Sequence, residues 1–414
     1  MSTRLTVSVA AAGLTAFALL YTPQPVLPQI AAEYGLASGG ASLAVSAATG
    51  ALALVVVPVA ALSQRVGRRP VILVSVLAAA LFGLLLPFAP NYETFLAIRV
   101  LQGAAVAGVP AAAMAYLADE LRENLGGAVG AMVAGNSAGG MIGRLLAGTT
   151  ADWLGWRNAL LATAVFGALC AVVVVFFLPK AAGRPRRDRG LRQAMTDPVL
   201  LCLYGVAVLA VGSFISLYNV VGFRLAGLPS WLSSLVFLVY AVGSVASATA
   251  GRLADRYGRG RVMLLCLAIA GAGALLTIPV VPLGLAVFTA GFFAAHATAS
   301  GWVGARAPES ARGQASGLYL CGFYVGSSVL GTTGSTAFGA WGWSGLVALV
   351  LGWLAVAAVL VQKSRGIETG ASSALRSTLP SLGRSSEPSF RPSDTDRTSA
   401  GTSTTIAVGS TPPS

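Results

Sequence analysis

Apolar residues fill this chain in long unbroken runs, with little of the 3.6-residue or two-residue alternation that marks half-buried helices and strands. About 20 such residues make one helical crossing of a bilayer. Twelve runs qualify, at approximately 8–28, 40–63, 70–89, 93–117, 125–150, 157–178, 198–221, 231–251, 262–281, 283–304, 314–337 and 343–362. Only Pro279, Pro282 and Gly284 divide the ninth from the tenth, so a tight turn is expected there. The polar segment KAAGRPRRDRGLRQAMTDP falls midway and separates six runs from six. Beyond Lys363 the chain turns to Ser, Thr, Pro and Gly, too polar to bury a core, and is expected to be a disordered tail. The pattern predicts an all-α membrane protein of twelve transmembrane helices in two six-helix halves. Its parts would be an N-terminal bundle at 1–179, a linker at 180–197, a C-terminal bundle at 198–362 and a tail at 363–414.

Composition agrees with a membrane solvent: 56% of residues are hydrophobic and 10% charged, with a mean hydropathy of +0.77. A soluble domain carries roughly a quarter charged residues. The net charge of +13 would suggest nucleic acid in a soluble protein. Here it sorts by side of the membrane instead, and no nucleic-acid partner is expected. With the N-terminus in the cytoplasm, Arg4, Arg65, Arg68, Arg69, Arg122, the six basic residues from Lys180 to Arg192, Arg252, Arg256, Arg259, Arg261, Arg306 and Arg312 all fall inside, as does the basic tail. Only Arg157 and Arg224 fall outside, and Arg99 and Arg144 lie within spans. The positive-inside bias therefore puts both termini in the cytoplasm, as an even number of spans requires. The first apolar run also has the outline of a signal peptide, but it continues through Pro23 to Ile30 and reads as an uncleaved span. Cys170, Cys202, Cys266 and Cys321 sit in apolar runs without a metal or disulfide pattern.

The two halves repeat. Leu62-Ser-Gln-Arg-Val-Gly-Arg-Arg69 returns as Leu253-Ala-Asp-Arg-Tyr-Gly-Arg-Gly260, and Gly130, Gly135, Gly139 and Trp156 return 187 positions later as Gly317, Gly322, Gly326 and Trp343. The loops after spans 2 and 8 follow G-x-x-x-D-R-x-G-R-R. Gly251, Asp255, Arg256, Gly258, Arg259 and Arg261 make a nearly complete second copy, whereas Ala60 and Gln64 replace glycine and aspartate in the first. On these loops, over about 350 residues, the chain resembles the major facilitator superfamily. The resemblance implies a cytoplasmic latch made by Gln64, Arg65 and Arg68 in one half and Asp255, Arg256 and Arg259 in the other, with Gln64 weakening the first copy. The alternative is that these arginines only set topology.

Two further motifs extend the resemblance. Arg99-Val-Leu-Gln102-Gly103 in span 4 is similar to the family's buried R-x-x-Q-G, associated with proton-coupled members. Arg99 either faces a wet cavity or reaches back to an interface. In span 5, Gly126, Gly135, Gly139 and Gly143 fit the antiporter motif G-x8-G-x3-G-P-x2-G-G, with Gly140 at the proline position and Arg144 at the last glycine. The motif implies tight packing across the interface between halves, with the bend at residue 140 in doubt. The alternative is an ordinary small-residue packing face, to which Gly322 and Gly326 would belong in the second half. The stretches YTPQPVLPQ, GNSAGGMIGR, AAHATASGWVG and GLYLCGFYVGSS resemble a YnfM-like branch of bacterial inner-membrane transporters near the drug:proton antiporters.

None of the fourteen acidic residues stands mid-membrane. The candidates for proton coupling are His296 in span 10, with Arg99, or Asp119 and Glu120 at the inner end of span 4; His296 could equally be a packing residue. The polar and aromatic pathway candidates are Tyr21, Gln24, Arg99, Gln102, Asn136, Arg144, Asn219, Phe323 and Tyr324. Two fixed positive charges and no negative one favour an anionic or neutral-polar substrate. No phosphate-binding glycine loop is present, so ATP drive is not expected, nor is an enzyme activity, a metal or another cofactor. The expectation is a single-chain secondary transporter of the bacterial cytoplasmic membrane, exporting small molecules against protons. Uptake or facilitated diffusion of a sugar or organic acid is the alternative within transport, and a non-transporting receptor or scaffold is the alternative outside it.

Overall fold

The computed structural model describes residues 2–120, 125–180 and 190–378. Among these, regular structure is helical throughout. The N-terminal half comprises α1 (Ser2–Tyr21), α2 (Leu27–Tyr34), α3 (Ser38–Val66), α4 (Arg68–Leu85), α5 (Tyr92–Val106), α6 (Gly108–Glu120) and α7 (Leu125–Phe177). The C-terminal half comprises the short α8 (Leu191–Thr196), α9 (Pro198–Arg224), the single turn α10 (Ser230–Ser233), α11 (Tyr240–Tyr257), α12 (Arg259–Leu276), α13 (Val281–Arg306), α14 (Arg312–Val325) and α15 (Gly331–Thr378). A π-helical turn, Gly326–Leu330, joins the last two.

Ten continuous helical stretches are long and apolar enough to cross a membrane, and two of them are double length. The first, α7, breaks at Gly155, whose φ of 76° is open to glycine and strained for other residues. Gly143, before the break, lies against Ala18, and Gly167, after it, lies against Leu19. Residues 24 apart touching neighbours on α1 means that the chain doubles back. The second, α15, breaks the same way at Gly342 (φ 67°), bringing Gly334 against Leu346. Eight single and two doubled stretches agree with twelve apolar runs. The turn expected near Pro279 lies between Leu276 and Val281. The final helix continues past Lys363, where the tail was expected to begin, to Thr378; the rest of the tail lies outside the described residues, as does 181–189 of the linker.

Glycine sets how closely the helices approach. Gly135, Gly139 and Gly143 face the backbone of α1 at Ala10, Leu14 and Ala18, and a Cβ at 139 or 143 would stand 2.6 Å from a carbonyl oxygen there. Gly322 and Gly326 meet Tyr204 and Val208 of α9 in the same manner. The expectation that the ladder packs across the two halves is therefore corrected: each ladder closes its own half, because the missing side chains are filled by the first helix of that half. Gly126 falls where side-chain placement is not described. With glycine in place of proline at 140, the amide donor is kept and α7 runs through without a bend. Gly143→Val is expected to cost about 1–3 kcal/mol or more through overpacking, read as a lowered midpoint of thermal unfolding, whereas Gly130→Val, with open space around its Cα, should change little.

The two halves meet along one end only. Ser38 donates to the Ser335 carbonyl (2.8 Å), Gln29 Nε2 to Ser230 Oγ (2.8 Å), and the Trp231 amide to Asp152 (3.1 Å). Ser328 Oγ donates to the Ser46 carbonyl (2.8 Å) and Thr332 Oγ1 to Ser46 Oγ (2.7 Å). Helix polarity places all five links at the end opposite the Arg65 and Arg256 loops. Moving toward those loops, the last link among the described residues is Cys321 Sγ to the Ala53 carbonyl, halfway along α3 and α14 (3.4 Å). The bundle is closed at one end and parted at the basic end.

Candidate functional site

The centre of the closed region holds a buried polar chain that crosses from one half to the other. Arg144, 1% exposed, donates from Nε to Gln24 Oε1 (2.5 Å) and from Nη1 to the Gly140 carbonyl (2.6 Å). Gln24 turns its Nε2 to Asn219 Oδ1 (2.7 Å). The guanidinium also lies against three rings, with centroid distances of 4.5 Å to Tyr21, 4.8 Å to Tyr240 and 5.5 Å to Phe237. Cation–π contact of this kind contributes about 2 kcal/mol when desolvated. It does not neutralise the charge, and among the described residues Arg144 has no carboxylate partner. An arginine at a helix centre costs roughly 2.5–3.5 kcal/mol on insertion scales, so this one is retained against a standing cost.

Two polar groups beside it are unsatisfied. Asn219 Nδ2 and the Tyr240 hydroxyl are buried without a hydrogen-bond partner, each at a cost of about 1–3 kcal/mol. Their position follows from the pseudosymmetry. The contacts of Gly135 with Ala10 and of Gly322 with Tyr204 are equivalent, as are those of Gly139 with Leu14 and of Gly326 with Val208, which maps residue 10 to 204 and 14 to 208. The same shift carries Gln24 to 218, beside Asn219, so the two amides face each other at equal depth. Gly331, the counterpart of Arg144, packs closely on α9: a Cβ there would lie 2.8 Å from Ile215 Cγ2 and 3.5 Å from Asn219 Nδ2. The π-turn immediately before Gly331 is an element that recurs at functional sites.

Arg99 stands differently. Its Nε donates to the Ala44 carbonyl (2.6 Å), Nη1 to Leu19 (3.1 Å) and Gln102 Oε1 (2.5 Å), and Nη2 to Leu20 (2.5 Å). Gln102 in turn donates to the Ala79 carbonyl (3.2 Å). With every nitrogen engaged by α1, α3 and its own helix, and four of its five N–H donors taken, the guanidinium cements helices. Of the two intramembrane charges, Arg144 is the freer to meet a substrate.

The remaining candidates scatter. Asn136 packs against Gly13 of α1 with its Oδ1 unpartnered. His296 Nδ1 meets the Tyr319 hydroxyl at 2.9 Å, and its ring lies 4.9 Å from Phe323, itself 5.2 Å from buried Tyr324. Rings connect this group to Arg144: His296 to Phe292 (6.2 Å), Phe292 to Phe214 (4.1 Å), Phe214 to Tyr240 (5.7 Å). At the basic end, Arg68 pairs with Asp119 of its own half (3.3 Å) and donates to Ser63 (2.6 Å). Asp255 and Arg256 are exposed, Arg256 lying over the Tyr257 ring, and Gln64, Arg65 and Arg259 likewise form no link to the opposite half among the described residues. Glu120 closes α6 near Tyr116. Asp197, just before α9, pairs with Arg306 (2.8 Å); burial would raise its pKa, but that arginine and the amides of Leu200 and Val199 hold it below the ordinary carboxylate value.

The sequence reading did not find Tyr240 and Phe237, or the Ser46, Ser328 and Thr332 interlock. Aromatic and hydroxyl residues are common in spans, and nothing in their spacing tells which face meets the other half. A groove of about 870 Å³ runs along the flank of the Ser46, Ser328 and Thr332 interlock, lined also by Leu43, Leu54, Val100, Val329 and Trp341. Its apolar, exposed wall has the character of a lipid-facing flank and includes none of the Arg144 group.

Comparison with known proteins agrees with this architecture. The Major Facilitator Superfamily model matches residues 9–248 and 226–384. The chain is 36% identical over 370 residues to the uncharacterized MFS-type transporter YybF of Bacillus subtilis (strain 168), covering 86% of this chain and 91% of that one. It is equally identical over 370 residues to the inner membrane transport protein YnfM of Escherichia coli (strain K12), covering 86% and 88%. A bacterial homologue of the human lysosomal transporter Spinster, solved in an inward-facing and occupied conformation, superposes with a TM-score of 0.71 at 15% identity over 88% of this chain and 97% of its own. The helical architecture, the duplicated halves and these relatives together place the chain in the Major Facilitator Superfamily, as a multi-pass membrane transporter and not an enzyme.

Proposed function

We propose that the protein exports small molecules from the cytoplasm by alternating access, as a single chain driven by the proton gradient. The observation that carries this reading is the Arg144, Gln24 and Asn219 chain, which joins the halves inside the closed region. A substrate entering between the halves from the basic end meets this chain and goes no further until the halves rock. The basic loops at the parted end make that end cytoplasmic by the positive-inside rule, with both termini on the same side. Coupling falls to His296, whose Nδ1 meets the Tyr319 hydroxyl and whose ring belongs to the aromatic belt that reaches Arg144. The rival carrier, Asp119, is held in an ion pair with Arg68.

The test is flux in proteoliposomes with a panel of labelled sugars, organic acids, amino acids and lipophilic cations, with and without an imposed pH gradient. Export against protons predicts accumulation of at least one compound when the trans side is acidic, lost on adding a protonophore and insensitive to pH in His296→Gln. Equal flux without the gradient would make the protein a uniporter, and no flux for any compound would make it a receptor or scaffold.

A further inference from the structure

We infer that Arg144, Asn219 and Tyr240 bind an organic monoanion, a carboxylate or sulfonate carried on an apolar body. The inference rests on the transport reading above and names the substrate class of the same site. Its basis is a mismatch between donors and acceptors. Arg144 carries a full positive charge, its Nη2 makes no hydrogen bond among the described residues, and its one side-chain acceptor is the neutral Oε1 of Gln24. Asn219 Nδ2, a donor without acceptor capacity, and the Tyr240 hydroxyl are both buried and unpartnered. Three groups able to donate thus lie about the Gln24 amide and the Arg144 guanidinium, and among the described residues the protein contributes no anion to them.

A carboxylate or sulfonate answers this inventory. Two of its oxygens can take the guanidinium edge, and a further lone pair remains for the amide. The rings of Tyr21, Phe237 and Tyr240 already stack on the guanidinium and leave an apolar wall for the rest of the ligand. The charge count sets the valence at one, since every nitrogen of Arg99 is engaged by helix carbonyls and Gln102, and a second negative charge would have no partner. A neutral ligand of the same shape would leave the guanidinium uncompensated, and a cation would be repelled by it. In the empty site the Gln24 amide occupies part of the anion's place, accepting from Arg144 and donating to Asn219; binding would break this bridge and so alter the contact between halves.

The test is thermal unfolding and equilibrium binding of the purified full-length protein with benzoate, benzenesulfonate, neutral benzenesulfonamide and benzyltrimethylammonium. The two anions should raise the unfolding midpoint by several degrees at millimolar concentration, while the near-isosteric sulfonamide and the cation leave it unchanged. Arg144→Lys should weaken anion binding at least tenfold, because the ammonium lacks the bidentate edge. Asn219→Asp supplies the anion internally, so it should raise the protein's own midpoint and abolish the response to both anions. Because Asn219→Asp is expected to fold more stably, the test does not depend on tolerance of changes at Arg144. Equal stabilisation by the sulfonamide or the cation, an undiminished response in Asn219→Asp, or no response to either anion would overturn the assignment. Proton-driven flux of some compound without anion binding would leave the transport reading standing and remove this one. Anion binding that depends on Arg144, with no flux of any compound, would do the reverse.

Discussion

Replacing Arg144 with methionine is expected to abolish transport while leaving the stability of the protein nearly unchanged. Methionine fills much of the same volume, packs on the rings of Tyr21, Phe237 and Tyr240, and removes a charge that costs about 2.5–3.5 kcal/mol in a helix centre. Against that stand the loss of cation–π contact, about 2 kcal/mol, and of two hydrogen bonds, one to Gln24 and one to a Gly140 carbonyl on the same helix. Gln24 keeps its bond to Asn219. Once those two hydrogen bonds are subtracted, at about 0.5–1.5 kcal/mol each, the balance lies near zero, as it often does when a buried charge is replaced by an apolar group of similar volume. Transport of benzenesulfonate in everted membrane vesicles should fall to background. The paired measurement separates function from structure: an arginine that merely held the fold would lose stability and activity together.

Much of the architecture was legible because a bilayer leaves few choices. Twelve apolar runs, the central polar linker and the sorting of arginines prescribed two six-helix halves, and the breaks at Gly155 and Gly342 coincide with the gaps between runs. The repeated glycines were legible as close-packing positions, but not the helix they pack against, since small residues permit approach without specifying a partner. The same limit applied to charge. Arg99 and Arg144 look alike in the sequence, each an arginine inside an apolar run. Their difference lies in distant residues: three helix carbonyls converge on Arg99, whereas rings and one amide meet Arg144. The latch expected between the two basic loops does not form among the described residues, where Arg68 meets Asp119 of its own half instead.

The second large effect concerns the closed end. Ser46 and Thr332 touch through their hydroxyls at 2.7 Å across the two halves, close enough that cysteines at both positions could bridge with ordinary disulfide geometry. The interlock must open for a substrate at Arg144 to leave on the far side, so a covalent link there should hold the protein in one of its two states. The native cysteines are free, and Cys321 is near the same seam, so Cys321→Ser provides the background. The deciding measurement is benzenesulfonate flux through the double variant Ser46→Cys, Thr332→Cys in proteoliposomes, oxidised and then reduced. Rocking halves predict flux below about a tenth of the background protein's rate when oxidised, full recovery on reduction, and unchanged benzenesulfonate binding throughout. Undiminished flux through the fully oxidised protein would contradict the account, because the substrate would then cross without the closed end ever opening.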